Sequence, residues 1–262
     1  MNTILTKTPI DDIDQVIIGG AKIARMDMEQ TGRLMMRLAR EPTTQRGPFY
    51  LTSANGEVLA RRFFDPAFRK IFDDADLINA DGQPLVFASR IFRRTRLPER
   101  VASTDLYPIV ARMAQEEAVS IYLFGASEEA NLAAVNATRR AFPTLDIRGH
   151  CHGYYKGDAL ERKLDEINAL APDILWLALG VPLEQEFVRR NAHRLPNVKM
   201  IKTAGGLFDF VAGAKKRAPT WMQWLGLEWA FRLYLEPRRL ARRYLTTNPI
   251  ALMLLLTQTR RG

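Results

Sequence analysis

The sequence predicts an α/β protein with a mostly parallel, Rossmann-like sheet sandwiched by helices and followed by a helical C-terminal appendage. Short apolar runs alternate along the chain with stretches of helical periodicity, which is typical of strand–helix–strand units. Several of these runs are continuously apolar, as expected for strands that are covered on both faces. Beyond about residue 217 no further strand is predicted, because prolines divide the remaining chain into helical stretches.

The predicted elements follow one another with short links. Strands are predicted at residues 15–18, 49–52, 76–80, 120–124, 146–148, 173–179 and 198–203. Helices are predicted at residues 27–40, 105–117, 127–141, 156–170 and 182–195. Asp27 and Gln30 have the spacing of a capping box at the first helix. Ser127 is expected to cap the helix that Pro143 ends.

The last 48 residues differ from the rest in charge and composition. Residues 215–262, called the basic tail below, hold ten basic and two acidic residues and so carry +8 of the chain's net charge of +9. They also hold three of the four tryptophans. We therefore divide the chain into a core of residues 1–214 and this tail. The tail's charge and aromatic content favour anionic lipid, a phosphorylated ligand or nucleic acid as its partner.

Helices are predicted in the basic tail at residues 221–235, 238–246 and 250–257, with Pro237 and Pro249 between them. The apolar run 250–256 is much shorter than the roughly 20 residues that a membrane-spanning helix needs. The tail is therefore expected to lie on a membrane surface, where aromatic rings sit at headgroup level and arginines meet lipid phosphates.

Composition excludes several classes of protein. With 262 residues, 47% of them hydrophobic and 26% charged, the chain is neither disordered nor fibrous and can bury a large core. Cys151 is the single cysteine, so a disulfide-stapled secreted scaffold is excluded and a reducing cytoplasm is expected. The first 15 residues contain acids where a signal peptide needs an apolar core, so no export signal is predicted.

Polar and glycine-rich sequences follow the predicted strands. Ligands of open α/β sheets bind outside the carboxyl ends of the strands, so these sequences are expected to meet at one edge. At one of them, Gly125 leads into the helix at Ser127, whose N-terminal amides are suited to a phosphate. The strand-end sequences are Thr52-Ser53-Ala54-Asn55-Gly56, Asp81-Gly82-Gln83, Gly125-Ala126-Ser127, Gly180-Val181-Pro182 and Ala204-Gly205-Gly206.

A collinear series of short motifs resembles one known family. The motifs are Ala80-Asp81-Gly82, Arg100-Val101-Ala102-Ser103-Thr104-Asp105, Tyr122-Leu123-Phe124-Gly125, Gly153-Tyr154-Tyr155, Gly180-Val181-Pro182 with Gln185-Glu186, Gly205-Gly206-Leu207-Phe208-Asp209-Phe210, Arg217-Ala218-Pro219, and Leu227-Glu228-Trp229 with Arg232, Glu236-Pro237 and Arg239. Together they span about residues 15–248. In this order the series resembles the WecG/TagA/CpsF family, glycosyltransferase family 26.

The resemblance implies an inverting transfer of one sugar from a UDP-sugar to a sugar carried on polyprenyl diphosphate, at the inner face of the plasma membrane, without a cofactor. The first expectation within the family is a xanthan-type β-1,4-glucosyl transfer in exopolysaccharide synthesis. Transfer of N-acetylmannosamine, its uronic acid or galactose is the alternative. A homo-oligomer is compatible with the sequence.

The resemblance also assigns roles to residues. Asp81 is expected to be the base that takes the proton of the acceptor hydroxyl, rather than only a turn residue beside Gly82. The diphosphate of UDP is expected to meet arginines, namely Arg100, Arg217, Arg232 and Arg239. Tyr155 is expected to stack on uracil or to pack in the protein. Gln185 and Asn55 are expected either to bind substrate or to cap helices, and Ser53 keeps a hydroxyl where relatives usually have Thr.

Glu184 departs from the family pattern, because relatives usually carry Lys before the Gln-Glu pair. Two Asp-x-Asp sequences, Asp12-Ile13-Asp14 and Asp74-Ala75-Asp76, resemble metal-binding motifs but are interpreted as structural, and so is His150-Cys151-His152, so no metal is expected. A nucleic-acid-binding protein and a non-catalytic membrane scaffold are the rival hypotheses. The neutral core argues against the first, and Asp81, Arg100 and Gln185 argue against the second.

Overall fold

The computed structural model describes residues 9–42, 47–91 and 96–261. Its strands are β1 (Gln15–Ile18), β2 (Ala21–Ala24), β3 (Phe49–Ala54), β4 (Leu77–Ala80), β5 (Ile121–Gly125), β6 (Ile147–Cys151), β7 (Ile174–Ala178), β8 (Met200–Thr203) and β9 (Arg260–Arg261). Six of them form a parallel sheet in the order β4-β3-β8-β7-β5-β6. The parallel α/β sheet predicted from the sequence is therefore confirmed.

Helices connect the strands and cover the sheet. The helices of the core are α1 (Met28–Arg40), α2 (Gly56–Phe64), α3 (Pro66–Asp73), α4 (Gln83–Ile91), α5 (Ser103–Glu116), α6 (Glu128–Ala141), α7 (Gly157–Leu170), α8 (Leu183–Asn191) and α9 (Leu207–Val211). A 3₁₀ turn, Ala192–Arg194, follows α8. No bounds were predicted for α2, although Asn55 was expected as a possible helix cap, and α3 and α4 were not predicted. Their apolar side chains pack with those of strands β3 and β4 in one cluster that includes Val58, Phe72 and Leu85.

Local signals placed the helix starts correctly. Asp27 and Gln30 form the reciprocal capping box of α1, and the Ser127 hydroxyl accepts a hydrogen bond from the Ala130 amide at the start of α6. Asn55 caps α2, since its Oδ1 accepts from the Val58 amide at 3.1 Å. These caps lie directly after strands, so they also determine how the chain turns at the carboxyl edge of the sheet.

Residues 15–18 do not belong to the parallel sheet, which corrects one expectation. As β1 they form a separate antiparallel sheet between β2 and β9. The basic tail thus ends in a strand, although none was predicted there. A two-residue strand has no periodicity of its own, and only its pairing with Val16 and Ile17 defines it.

The basic tail forms α10 (Thr220–Trp224), α11 (Glu228–Leu235) and α12 (Pro237–Thr257). The predicted helix 221–235 is therefore divided around Gly226, which has a φ of +73°. Pro249 does not begin a new helix but lies inside α12. Just after Pro249, α12 packs against α2, where Gly56 permits close approach to Ala251. In the part of the chain that the structure describes, no helix is long and apolar enough to cross a membrane.

Candidate active site

A cleft of about 950 Å³ lies at the carboxyl edge of the parallel sheet. The ends of β3, β4, β5, β7 and β8 line one side of it, and the basic tail lines the other. This is the edge at which the strand-end sequences were predicted to meet, and the structure does bring them together. The side chains that the tail contributes include Lys215, Lys216, Arg232, Arg239 and Arg243. The cleft is therefore acidic at the sheet edge, where Asp81 and Glu184 lie, and basic on the tail side.

A smaller cavity of about 180 Å³ adjoins the cleft. Asn55, Asp81, Glu228 and Arg232 line both spaces, so Asp81 lies where the two meet. The outer wall of the smaller cavity includes Trp229 and Tyr244 of the basic tail. Three carboxylates line both spaces, and two of them, Glu57 and Glu228, are ion-paired with Arg243 and Arg100. Asp81 is therefore the candidate base for two reactants held in the two spaces.

Asp81 follows β4 directly, and its backbone amide donates to the Ala54 carbonyl at 2.8 Å. Burial raises the pKa of its carboxyl. The cations Arg100, Lys202 and Arg232 counter this effect, whereas Glu228 adds to it. A carboxylate with a raised pKa is a better proton acceptor than an ordinary surface aspartate.

Arg100 lies in an ion-pair cluster that joins the core to the basic tail. Its guanidinium donates to Asp105 Oδ2 at 2.8 Å, to Glu228 Oε2 at 2.8 Å and to Gln223 Oε1 at 3.1 Å. Arg217 pairs with the same Asp105 and donates to Gln223 Oε1 at 2.7 Å. Arg100 lines the smaller cavity, whereas Arg217 is not among the residues that line either space.

The other two predicted arginines do reach the cleft. Arg232 lines both spaces, and its guanidinium lies 5.0 Å from the ring centre of Phe210. Arg239 lines the cleft from the start of α12 and pairs with Glu236. The structure thus separates the predicted arginines into two that border the cleft and two that hold the tail against the core.

Ser53 and Asn55 both line the cleft at the end of β3. Asn55 also caps α2, so the two roles left open for it from the sequence are compatible. Ser53 Oγ accepts a hydrogen bond at 2.8 Å from the ammonium of Lys202, which is fully buried on β8. Lys202 was not predicted as a site residue, although a lysine within an apolar strand run is a recognisable signal.

Gln185 lies beneath the cleft and is fully buried. Its Nε2 donates to Glu184 Oε1 at 3.3 Å, and its Oε1 has no partner in the described part of the chain. The neighbouring Glu184, where Lys was expected from the family pattern, lines the cleft and accepts from the Gly205 amide at 2.9 Å. Burial raises the pKa of Glu184 to about 7 and lowers that of Lys202 to about 8.

Gly125 and Tyr155 contribute to the packing of the fold and do not line the cleft. A Cβ at Gly125 would lie 2.2 Å from the Ala178 carbonyl oxygen, and its φ is +140°, so only glycine fits there. Tyr155 stacks on the His152 ring with centres 4.2 Å apart, and it is Tyr154 that lines the cleft and exposes most of its side chain. The sequence identified the aromatic pair but not which of the two residues faces the cleft.

The motifs interpreted as structural are engaged within the fold. Asp76 Oδ2 accepts from the Tyr50 amide at 2.7 Å. His150 Nδ1 shares a hydrogen bond with Asn131 Oδ1 at 2.9 Å, and Cys151 is buried. Within residues 9–42, 47–91 and 96–261, no group of three His, Cys, Asp or Glu side chains is placed to hold a metal ion.

Comparison with known proteins gives a consistent result. A protein named N-acetylglucosaminyldiphosphoundecaprenol N-acetyl-beta-D-mannosaminyltransferase from Bacillus spizizenii is 30% identical over 194 residues, 74% of each chain. Proteins of the same name from Bacillus subtilis and Staphylococcus aureus are 31% and 27% identical, over 72% and 74% of each chain respectively. A sequence profile described as the glycosyl transferase WecG/TagA/CpsF family matches residues 16–262, which include the sheet, the cleft and the basic tail. The chain therefore belongs to the WecG/TagA/CpsF family of glycosyl transferases.

Proposed function

We propose that this glycosyl transferase moves N-acetylmannosamine from a UDP-linked donor to N-acetylglucosamine carried on a polyprenyl diphosphate. The position of Asp81 between two adjoining spaces carries the proposal. The names of the relatives support this choice of sugars. They give no support to the β-1,4-glucosyl transfer that was expected first from the sequence.

In the proposed reaction the larger cleft holds the UDP-sugar and the smaller cavity holds the acceptor sugar. Asp81 accepts the proton of the acceptor hydroxyl as that oxygen bonds to the anomeric carbon. The bond from the anomeric carbon to the diphosphate oxygen breaks on the opposite face, so the configuration inverts and UDP leaves. The raised pKa of Asp81 supports its role as the base.

The departing diphosphate needs positive charge, and the side of the cleft formed by the basic tail supplies it. Arg232, Arg239 and Arg243 border the cleft together with Lys215 and Lys216. Fixed guanidinium groups form short, paired hydrogen bonds with phosphate oxygens. We therefore propose that arginines stabilise the leaving group and that no metal ion is required.

The proposed acceptor is a lipid, so the site has to work at a membrane surface. The basic tail exposes large apolar side chains, among them Trp221, Trp224, Tyr234 and Leu245. Such side chains beside arginines are suited to the interface of an anionic bilayer. We propose peripheral attachment at the inner face of the plasma membrane, with the cleft opening toward the lipid-linked sugar.

The direct test measures UDP release from a panel of UDP-sugars, with polyprenyl-diphosphate-linked N-acetylglucosamine or glucose in anionic vesicles. We expect turnover with UDP-N-acetylmannosamine and the N-acetylglucosamine lipid, and unchanged rates in EDTA. Turnover only with UDP-glucose would replace the proposed sugar, and a requirement for Mn²⁺ would contradict the role given to the arginines.

The role of Asp81 is tested by Asp81→Asn, which keeps the shape of the side chain but removes its basicity. We expect kcat to fall by about 100-fold or more, in line with the loss of a general base. Asp74→Asn is the matched control, because Asp74 is exposed at the end of α3. Equal rates for the two variants would show that another group takes the proton.

A further inference from the structure

Two residues of opposite charge, Lys202 and Glu184, are buried under the cleft. Lys202 has no exposed surface, and Glu184 has almost none. Burying a lysine and a glutamate is unfavourable unless each is compensated, and an apolar pair would hold the sheet at least as well. The mechanism proposed above uses neither residue, so their presence calls for an explanation.

The position of Lys202 in the sheet relates it to two site residues. It pairs with Leu51 of β3, and Leu51 lies on the same face as Ser53 two residues further on. Asp81 follows β4, which is the other neighbour of β3. Lys202 and Asp81 thus lie on either side of the strand that holds Ser53, each one strand spacing of roughly 5 Å from it across the sheet.

The hydrogen bonds of Lys202 are directed toward the site. Among the described residues its ammonium donates to Ser53 Oγ at 2.8 Å and to the Thr203 carbonyl at 3.2 Å. Ser53 Oγ accepts this bond, which leaves its own proton to be donated to an acceptor in the cleft. The fully buried ammonium is also one of the cations that favour the ionised form of Asp81.

We propose that Lys202 is a positioning residue of the transfer reaction, which fixes Ser53 as a hydrogen-bond donor into the cleft and keeps Asp81 ionised through its buried positive charge. Glu184 balances that charge, and its carboxylate accepts a hydrogen bond from the Gly205 amide. Three other charged side chains affect the ionisation of Asp81. Arg100 lies in the loop before α5, and Glu228 and Arg232 lie on α11. Lys202 differs from them in acting from within the sheet.

The inference rests on the proposed function, but it can be tested without turnover. Lys202→Met removes the charge and keeps a long, apolar side chain. The ionisation of Asp81 is followed by ¹³C NMR of its carboxyl carbon, identified by the signal that Asp81→Asn removes. We expect the Asp81 midpoint to rise in Lys202→Met, because a buried positive charge that favours the carboxylate is removed. Lys199→Met, three residues earlier at the amino end of β8, is expected to leave the midpoint unchanged.

An equal Asp81 midpoint in the two lysine variants would overturn the inference, whatever the activity. If Lys202→Met does not fold, the Asp81 midpoint is measured in the double variant of Glu184→Gln with Lys202→Met and compared with that in Glu184→Gln alone. The two proteins then differ only in the charge of residue 202, and the double variant is expected to have the higher midpoint. If wild-type protein transfers no sugar, the proposed function fails, but the NMR result still decides the electrostatic role of Lys202.

A kinetic test addresses Ser53. We expect Lys202→Met to lower kcat by at least tenfold and to move the acid limb of the kcat/KM profile to higher pH. Ser53→Ala alone is expected to lower kcat. Combined with Lys202→Met it is expected to have little further effect on kcat, because the Ser53 hydroxyl is no longer oriented once Lys202 is replaced. Additive losses would show that Lys202 does not act through Ser53.

Discussion

At the scale of single residues, the most informative feature is the polar layer buried beneath the cleft. Thr52 and Thr203 share a hydrogen bond at 2.7 Å between β3 and β8, and Gln185 lies against Thr52. Lys202 and Glu184 complete this layer. A buried polar group that lacks a hydrogen-bond partner lowers the stability of the fold. A buried layer of polar groups is therefore typical of a functional site.

Glu184 is predicted to make stability depend on pH. Its pKa is about 7 in the folded protein and near 4.5 in the unfolded chain. The protonated carboxyl therefore contributes stability that is present below pH 4.5 and is lost as the pH rises through 7. Glu184→Gln keeps an acceptor for the Gly205 amide but cannot ionise. We compare the free energy of unfolding of Glu184→Gln with that of wild type at two pH values. The difference is expected to shift in favour of Glu184→Gln by about 1–3 kcal/mol when the pH is raised from 5 to 7.5.

Chemical denaturation of wild type and Glu184→Gln at the two pH values measures this change. Glu186→Gln, on the same helix and less buried, is the control and is expected to show no such gain. A pH-independent difference for Glu184→Gln would mean that folding does not raise the pKa of Glu184.

At the scale of elements, the ends of neighbouring strands approach so closely that side chains are excluded. The ends of β5 and β7 meet at Gly125 and Ala178, which are paired in register. The Ala126 amide donates to the Ala178 carbonyl at 3.0 Å, directly beside Gly125. This contact brings Ala126 and Ser127 to the cleft, so the sharp turn at Gly125 helps to shape the site.

Gly125→Ala is therefore predicted to be strongly destabilising. The new Cβ would overlap backbone atoms of Ala178, which cannot move as a flexible side chain would. We expect a loss of about 3 kcal/mol or more in the free energy of unfolding. Gly206→Ala is the matched control, because the nearest atom to its new Cβ is Asp209 Oδ2 at 3.8 Å. Comparable stability of the two variants in thermal or chemical unfolding would contradict the close approach.

At the scale of the whole molecule, the basic tail is both a wall of the cleft and a packed part of the fold. Leu254 and Leu255 of α12 are buried in the same cluster as Ile18 and Leu59. Arg217 joins the start of the tail to Asp105, and Arg100 joins the core to Glu228 of α11. The tail's other surfaces expose aromatic rings. Binding of the tail to a membrane would thus act directly on one side of the cleft.

The membrane role of the tail is tested on its exposed tryptophans. Trp221 and Trp224 are three residues apart on α10 and so lie on the same face of that helix. We expect the double change to alanine to weaken binding to anionic vesicles by roughly tenfold. Binding of the wild type should also weaken with added salt. Leu132→Ala, which removes an exposed apolar side chain from α6, is expected to bind as wild type does. Unchanged sedimentation of the tryptophan variant with vesicles would refute this attachment.

The sequence alone determined the fold class, most of the strands and the edge at which the site lies, because hydrophobic periodicity, helix caps and strand-end glycines are local signals. It also indicated Asp81 and the charge of the basic tail. Only the tertiary structure decided that β1 leaves the main sheet, that α12 continues through Pro249, that Tyr154 faces the cleft in place of Tyr155, and that Lys202 lies under Ser53. Apart from the stacking of Tyr155 on His152, these outcomes depend on contacts between residues distant in the chain. The energy of such contacts exceeds the local conformational preference of a segment. Periodicity and propensity describe one segment at a time and contain no information about which segments will meet.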